Sequence, residues 1–84
     1  MKKINNKYEA LSILNNYILI ATSNIIKKQL YIKSDNSILV INKFTKYYIT
    51  KNDFLNDFEY FDFYIYKLLD EIDINEEISN LINM

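Results

Sequence analysis

The side chains able to do chemistry in this chain are carboxylates, tyrosines, hydroxyls and lysines, and they crowd into one stretch. Residues 58 to 77 read FEYFDFYIYKLLDEIDINEE, with six aromatic rings in the first nine positions and carboxylates after them. Tyrosine combines a large apolar area with a polar tip and few rotors, which suits it to binding hot spots. Carboxylates interleaved with such rings complement a Lys/Arg-lined groove, a nucleic-acid channel for example, better than they complement a phosphate backbone. The expected contact set is therefore Asp57, Glu59, Tyr60, Asp62, Tyr64, Tyr66, Asp70, Glu71, Glu76 and Glu77. The plainer reading is that the acids solvate helices and the rings cover a sheet.

Absent residue types exclude much else. The chain has no Gly, Pro, Cys, His or Trp, and its ten basic residues are all Lys. Without thiolate or imidazole there is no zinc site, Ser-His-Asp triad or Cys-His pair. Without Gly there is no phosphate-cradling loop. Without Arg there is no bidentate fork for phosphate or guanine. Asp70, Asp73 and Glu77 share a helix face, but nothing resembles a dedicated calcium loop. No metal, cofactor or catalysis is expected. The abundance of Ile, Asn, Lys, Tyr and Phe is also what AT-rich codons would produce.

Charge is uneven although the net value is −1. Residues 1–45 carry seven Lys against Glu9 and Asp35, a surplus of five positive charges. Residues 46–84 carry three Lys against nine carboxylates, a surplus of six negative ones. Such asymmetry points to an acidic region with a basic partner. Lys2, Lys3, Lys7, Lys27, Lys28 and Lys33 form a thin case for a nucleic-acid patch, so direct nucleic-acid binding is not expected. The opening MKKINNK lacks the apolar stretch of a signal peptide. The longest early apolar run, Tyr17 to Ala21, is far below the ~18–20 residues that span a bilayer. The expectation is a soluble, cytoplasmic protein that does not engage a membrane.

Eighty-four residues make a single domain, 1–84, and one that buries only about 60–65% of its unfolded surface. Ala10, Ile13, Leu14 and Tyr17 make one apolar stripe, predicting a helix within residues 5–16, ended by Asn15 or Asn16 in a left-handed conformation. YILIAT (17–22) reads as a strand. LYIK (30–33) and SILVI (37–41) alternate about Asp35-Asn36, the strongest hairpin signal in the chain. KYYIT (46–50) reads as a further short strand. Thr50 with Asp53 forms a near capping box for a helix at 51–59. Two readings then compete. Phe54, Phe58, Phe61, Ile65, Leu68 and Ile72 follow a heptad, but the aromatic and β-branched run 61–66 favours a pleated surface. The strand at 62–67 is preferred. Asp73 and Glu76 then open an amphipathic terminal helix, with Ile74, Ile78, Leu81 and Ile82 on one stripe that should pack on the sheet or on a second copy. The predicted fold is α+β: a mainly antiparallel sheet of four to five strands, with helices on one side at the N-terminus, about 51–59 and the C-terminus.

Taken together, YEALSILNNYILIATS, the LYIKSDNSILVIN hairpin and YYITKNDFLNDFEYFDFYIYKL resemble an arrangement of small phage-encoded anti-defence proteins. In these an EAL-type helix precedes a hairpin and a (S/T)xxDFL helix leads into a closing strand. One group with this look, more weakly resembled, is the Thoeris anti-defence family, which sequesters cyclic-nucleotide signals; small anti-CRISPR proteins are the wider neighbourhood. The chain lacks the Gly after the first helix and the Trp residues of that family, and no binding residue is carried over. The resemblance implies a non-enzymatic inhibitor that occludes a basic surface of a host defence nuclease, the partner being a protein or ribonucleoprotein, with a homodimer allowed. The alternatives are a homo-oligomeric binder of a small ligand between subunits, and a DNA-binding regulator or antitoxin.

Overall fold

A computed structural model describes residues 1–23 and 28–83. Asn6 opens the first helix by accepting from the amides of Tyr8 and Glu9, at 2.9 and 3.0 Å. This leaves α1 at Lys7–Ile13, after a two-residue strand β1 (Lys3–Ile4). Strands β2 (Tyr17–Thr22), β3 (Gln29–Ser34), β4 (Ser37–Ile41) and β5 (Lys46–Ile49) follow, then α2 (Lys51–Phe58) and β6 (Asp62–Leu68). A 3-10 turn at Leu69–Glu71 leads to α3 (Ile74–Ile82). No helix among the described residues is long and apolar enough to cross a membrane.

Several local expectations hold. The β3–β4 hairpin turns on Asp35-Asn36, with Ser34 paired to Ser37. Asp35 alone among the described residues has positive φ, at 43°. Thr50 and Asp53 close the capping box reciprocally, at 3.0 and 3.1 Å. Residues 62–68 are strand, so the heptad is broken where α2 ends at Phe58. The end of α1 differs from expectation. Neither Asn15 nor Asn16 is left-handed; their amides instead bond Ser12 O and Ile13 O in a tightened turn, at 3.1 and 3.0 Å.

All pairings are antiparallel, in the order β1-β6-β2-β3-β4-β5. The sheet has six strands, not the four to five expected. The extra one is β1, whose two residues show no periodicity but pair with Phe63 and Tyr64 of β6. The helices also do not share one side. Ala10 and Leu14 of the α1 region and Phe54 of α2 pack with Leu19, Ala21, Tyr31, Val40 and Phe63 on one face. Leu81 and Ile78 of α3 pack with Ile18, Ile20, Leu30, Ile32 and Ile41 on the other. The physical reason is in β2, β3 and β4, whose consecutive residues are apolar and buried. Strands apolar on both faces need cover on both.

The first face is knit by rings. Tyr31, Phe54 and Phe63 sit with centroids 4.9–5.6 Å apart in edge and tilted arrangements, the geometry aromatic quadrupoles favour. The second face depends on a bulge. Ile18 pairs with Lys67 and Leu19 with Ile65, so Tyr66 is an extra residue in β6. The bulge breaks the alternation and turns Tyr66 and its neighbour Lys67 to the same side, toward α3.

Candidate functional site

Nine of the ten residues anticipated as one acidic-aromatic face fall into three groups, and the tenth, Asp57, stands apart from them. The first surrounds the α2–β6 connection, where Glu59, Tyr60 and Asp62 line a cleft of about 370 Å³ with Lys3, Asn5 and Thr22. Its acids are matched internally. Lys7 Nζ donates to Glu59 Oε1 at 2.9 Å, which raises the lysine above its ordinary range, and Lys3 Nζ lies 3.4 Å from Asp62 Oδ1. The Tyr60 ring is 80% exposed at the rim.

Asp57 is half-buried and belongs to a hydrogen-bond network that runs into the core. Asn42 Nδ2 donates to Gln29 Oε1 at 3.2 Å, Gln29 Nε2 to Tyr31 Oη at 2.5 Å, and Tyr31 Oη to Asp57 Oδ2 at 2.8 Å. Burial raises the Asp57 carboxyl despite the bond from Tyr31. Burial also pushes the Tyr31 phenol up, reinforced by Asp57. This chain of bonds satisfies polar groups inside a ring-lined core, as buried polar groups require.

The second group is Tyr64, Tyr66 and Glu77, gathered beneath α3. Glu77 is 2% exposed. It accepts from Tyr66 Oη at 2.7 Å and pairs with Lys67 Nζ. Burial acts to raise its carboxyl, but the bonds from Lys67 and Tyr66 outweigh that and hold it below the usual Glu range. Glu77 is thus a structural anchor. It is not available to a partner in the folded state.

The third group is the surface. Asp70, Glu71 and Glu76 are exposed, as is Asp73, whose side chain caps α3 through the amides of Asn75 and Glu76. No ion pair engages these four acids among the described residues. Leu68 and Ile74, 39% and 38% exposed, lie beside them in sequence. The described residues hold no group of His, Cys, Asp or Glu placed to bind a metal.

Sequence reasoning missed a different surface, the β4–β5 hairpin. Phe44 and Tyr48 are 85% and 61% exposed, and Tyr47 is exposed as well. Asn42 Oδ1 accepts from the amides of Phe44 and Thr45, both at 2.9 Å, while Asn42 N donates to Thr45 O at 3.0 Å. The loop is thereby shaped by its own side chain, an Asx-type turn. Lys43 Nζ sits 5.0 Å from the Phe44 ring centroid. The signal in the sequence was KFTKYY, within a run from 36 to 52 that contains Lys43, Lys46 and Lys51 and no carboxylate. The N-terminal lysines carry the more conspicuous basic signal in the sequence. Of those, Lys3 and Lys7 are ion-paired, Lys33 Nζ donates to Asn15 Oδ1, and Lys27 lies outside the described residues.

A second cavity, about 280 Å³, opens between α1 and the β3–β4 hairpin and is lined by Tyr8, Ser12, Asn15, Lys33, Asp35 and Lys51 among others. No family model, curated protein or solved structure matches this chain.

Proposed function

We propose that this protein is a non-enzymatic inhibitor of phage or mobile-element origin. It blocks a host defence nuclease, a CRISPR effector, by docking an acidic corner on that partner's basic groove in the host cytoplasm. The observation that carries this reading is a separation of charge. Glu59, Asp62 and Glu77 are each matched by a lysine, whereas Asp70, Glu71, Asp73 and Glu76 face outward in a segment, 68–83, that contains no Lys. Four acids on one turn and helix start create a concentrated negative potential, which steers association with a cationic groove and selects against wrong partners. Leu68 and Ile74 add apolar contact area beside it. The docking set is thus narrower than the ten residues first considered, with Asp57 and Glu77 serving the fold. The resemblance to small phage anti-defence proteins supplies the partner class.

The test is target cleavage by a panel of purified CRISPR effector complexes with and without the protein. Inhibition should weaken as salt rises. Reversing two charges, Asp70→Lys with Glu71→Lys, should lower inhibitory potency by at least tenfold while the melting temperature stays near the parent's. A double reversal that inhibits as well as the parent rejects the acidic corner.

The cavity containing Tyr8, Lys33 and Lys51 favours one second reading, sequestration of a small anionic ligand such as a cyclic nucleotide. A rise in melting temperature with excess cyclic nucleotide would identify it, by mass action on the folded state.

A further inference from the structure

We infer that the β4–β5 hairpin is a platform for single-stranded nucleic acid. The hairpin carries Lys43 and Lys46 and no carboxylate in a protein whose net charge is −1, so positive potential is concentrated where the chain as a whole has none to spare. On the same short element stand the exposed rings of Phe44 and Tyr48. Interleaved ammonium groups and open rings are what a sequence-tolerant single-strand binder requires: the lysines follow the phosphates and the rings stack on bases.

The register places these groups usefully. Tyr48 pairs with Leu39 and Lys46 with Ile41, so both project on the α3 side of the sheet, as Leu39 and Ile41 do. Two residues along a strand span roughly 7 Å, which sets an ammonium beside whatever stacks on Tyr48. Phe44 stands at the loop tip, fixed by the Asn42 turn. The loop is further tied through Asn42 to Gln29 in the core, so the rings are presented by a braced element. Tyr47 points to the opposite side, paired with Val40 and within reach of the Asp57 charge; it is left out of the platform.

An acidic peptide is the competing occupant, and the surface fits it less well. Peptide side chains are recognised in pockets, but Phe44, Tyr47 and Tyr48 line neither cleft described above. Open rings suit flat bases. The platform shares no residue with the acidic corner, and its test is independent of the proposed inhibition; a ribonucleoprotein partner would offer a counterpart to each.

The experiment is fluorescence anisotropy of a fluorescein-labelled oligo-dT of about fifteen nucleotides, titrated with the full chain at low salt. Saturable binding is expected, with a slope of log affinity against log salt of about −1.4 for the two lysines Lys43 and Lys46 on a single strand. Phe44→Ala and Tyr48→Ala should each weaken binding about tenfold, Tyr48→Phe should retain it, and a duplex of equal length should bind more weakly. In the unmodified protein, amide resonances of residues 43–48 should shift on titration, which decides the matter even if a variant misfolds. No binding, resonance shifts confined to the N-terminal lysines, unchanged affinity in both alanine variants, or equal competition by poly-glutamate overturns the platform.

Discussion

The Tyr66 hydroxyl lies 2.7 Å from the Glu77 carboxylate, joining the bulged strand β6 to the underside of α3. Lys67, the next residue, reaches the other oxygen of the same carboxylate. Two consecutive strand residues normally point to opposite faces; here the bulge turns both the same way. One inward acid thus receives two donors, one of them cationic, and α3 is held over the Ile18–Ile41 side of the core.

Tyr66→Phe deletes one of those donors while keeping the ring. It should cost about 1.5 kcal/mol, the magnitude of a hydrogen bond to a charged group. Lys67→Met should also destabilise, because it leaves a buried carboxylate without its cation. Urea unfolding of the single and double variants would test both, with the double mutant departing from additivity because the two donors share Glu77.

Glu77 and Asp57 should act oppositely on stability as pH changes. Glu77 has a lowered folded-state pKa, so its contribution is present above the ordinary Glu range and is lost as pH falls through the folded value. Asp57 has a raised one, so its ionisation costs stability as pH rises past the ordinary Asp range. Asp57→Asn keeps an acceptor for Tyr31 without the half-buried charge. It should raise Tm at pH 7, and the gain should shrink below about pH 4. Thermal melts across pH 3–7 of parent, Asp57→Asn and Glu77→Gln would show the two opposite trends.

Phe63→Ala should be the most damaging single change among these. Its ring is fully buried, with centroids 4.9 Å from Tyr31 and 5.2 Å from Phe54 and Phe58. Truncations of this kind cost about 3–5 kcal/mol, a large share of the roughly 5–15 kcal/mol that stabilises a domain. Circular dichroism should show a partly unfolded population at 25 °C, whereas Phe63→Leu should remain folded with a lower urea midpoint.

Thr50→Ala removes the hydroxyl that accepts from Asp53 N at 3.1 Å and should cost about 1 kcal/mol. Thr50→Ser keeps the cap and should stay close to the parent. Denaturant midpoints decide between cap loss and a merely local side-chain effect.

What the sequence disclosed depended on how local the signal was. The Asp35-Asn36 turn, the Thr50–Asp53 box and the β-branched run of β6 are short-range features, and each is where it was expected. Two-sided cover was also legible: ILIA, LYI and ILVI are unbroken apolar runs, which a sheet exposed on one face does not carry. Reading them as alternating strands concealed the second layer. The site was less legible because charge matching is long-range. Lys7 and Glu59 are 52 positions apart, and no periodicity tells that one cancels the other. Nor does any spacing announce that the Tyr66 bulge turns Glu77 into an interior group.

The two margins of the sheet are unequal: β1 offers two residues of open backbone and β5 offers four. A strand joining this protein by main-chain bonding has room along Lys46–Ile49 and almost none beyond Lys3–Ile4. Were two copies to meet there about a twofold axis, both β5 margins would be consumed and each outer strand would be the two-residue β1. Growth through β5 then ends at the pair, since each copy has only one such strand to give.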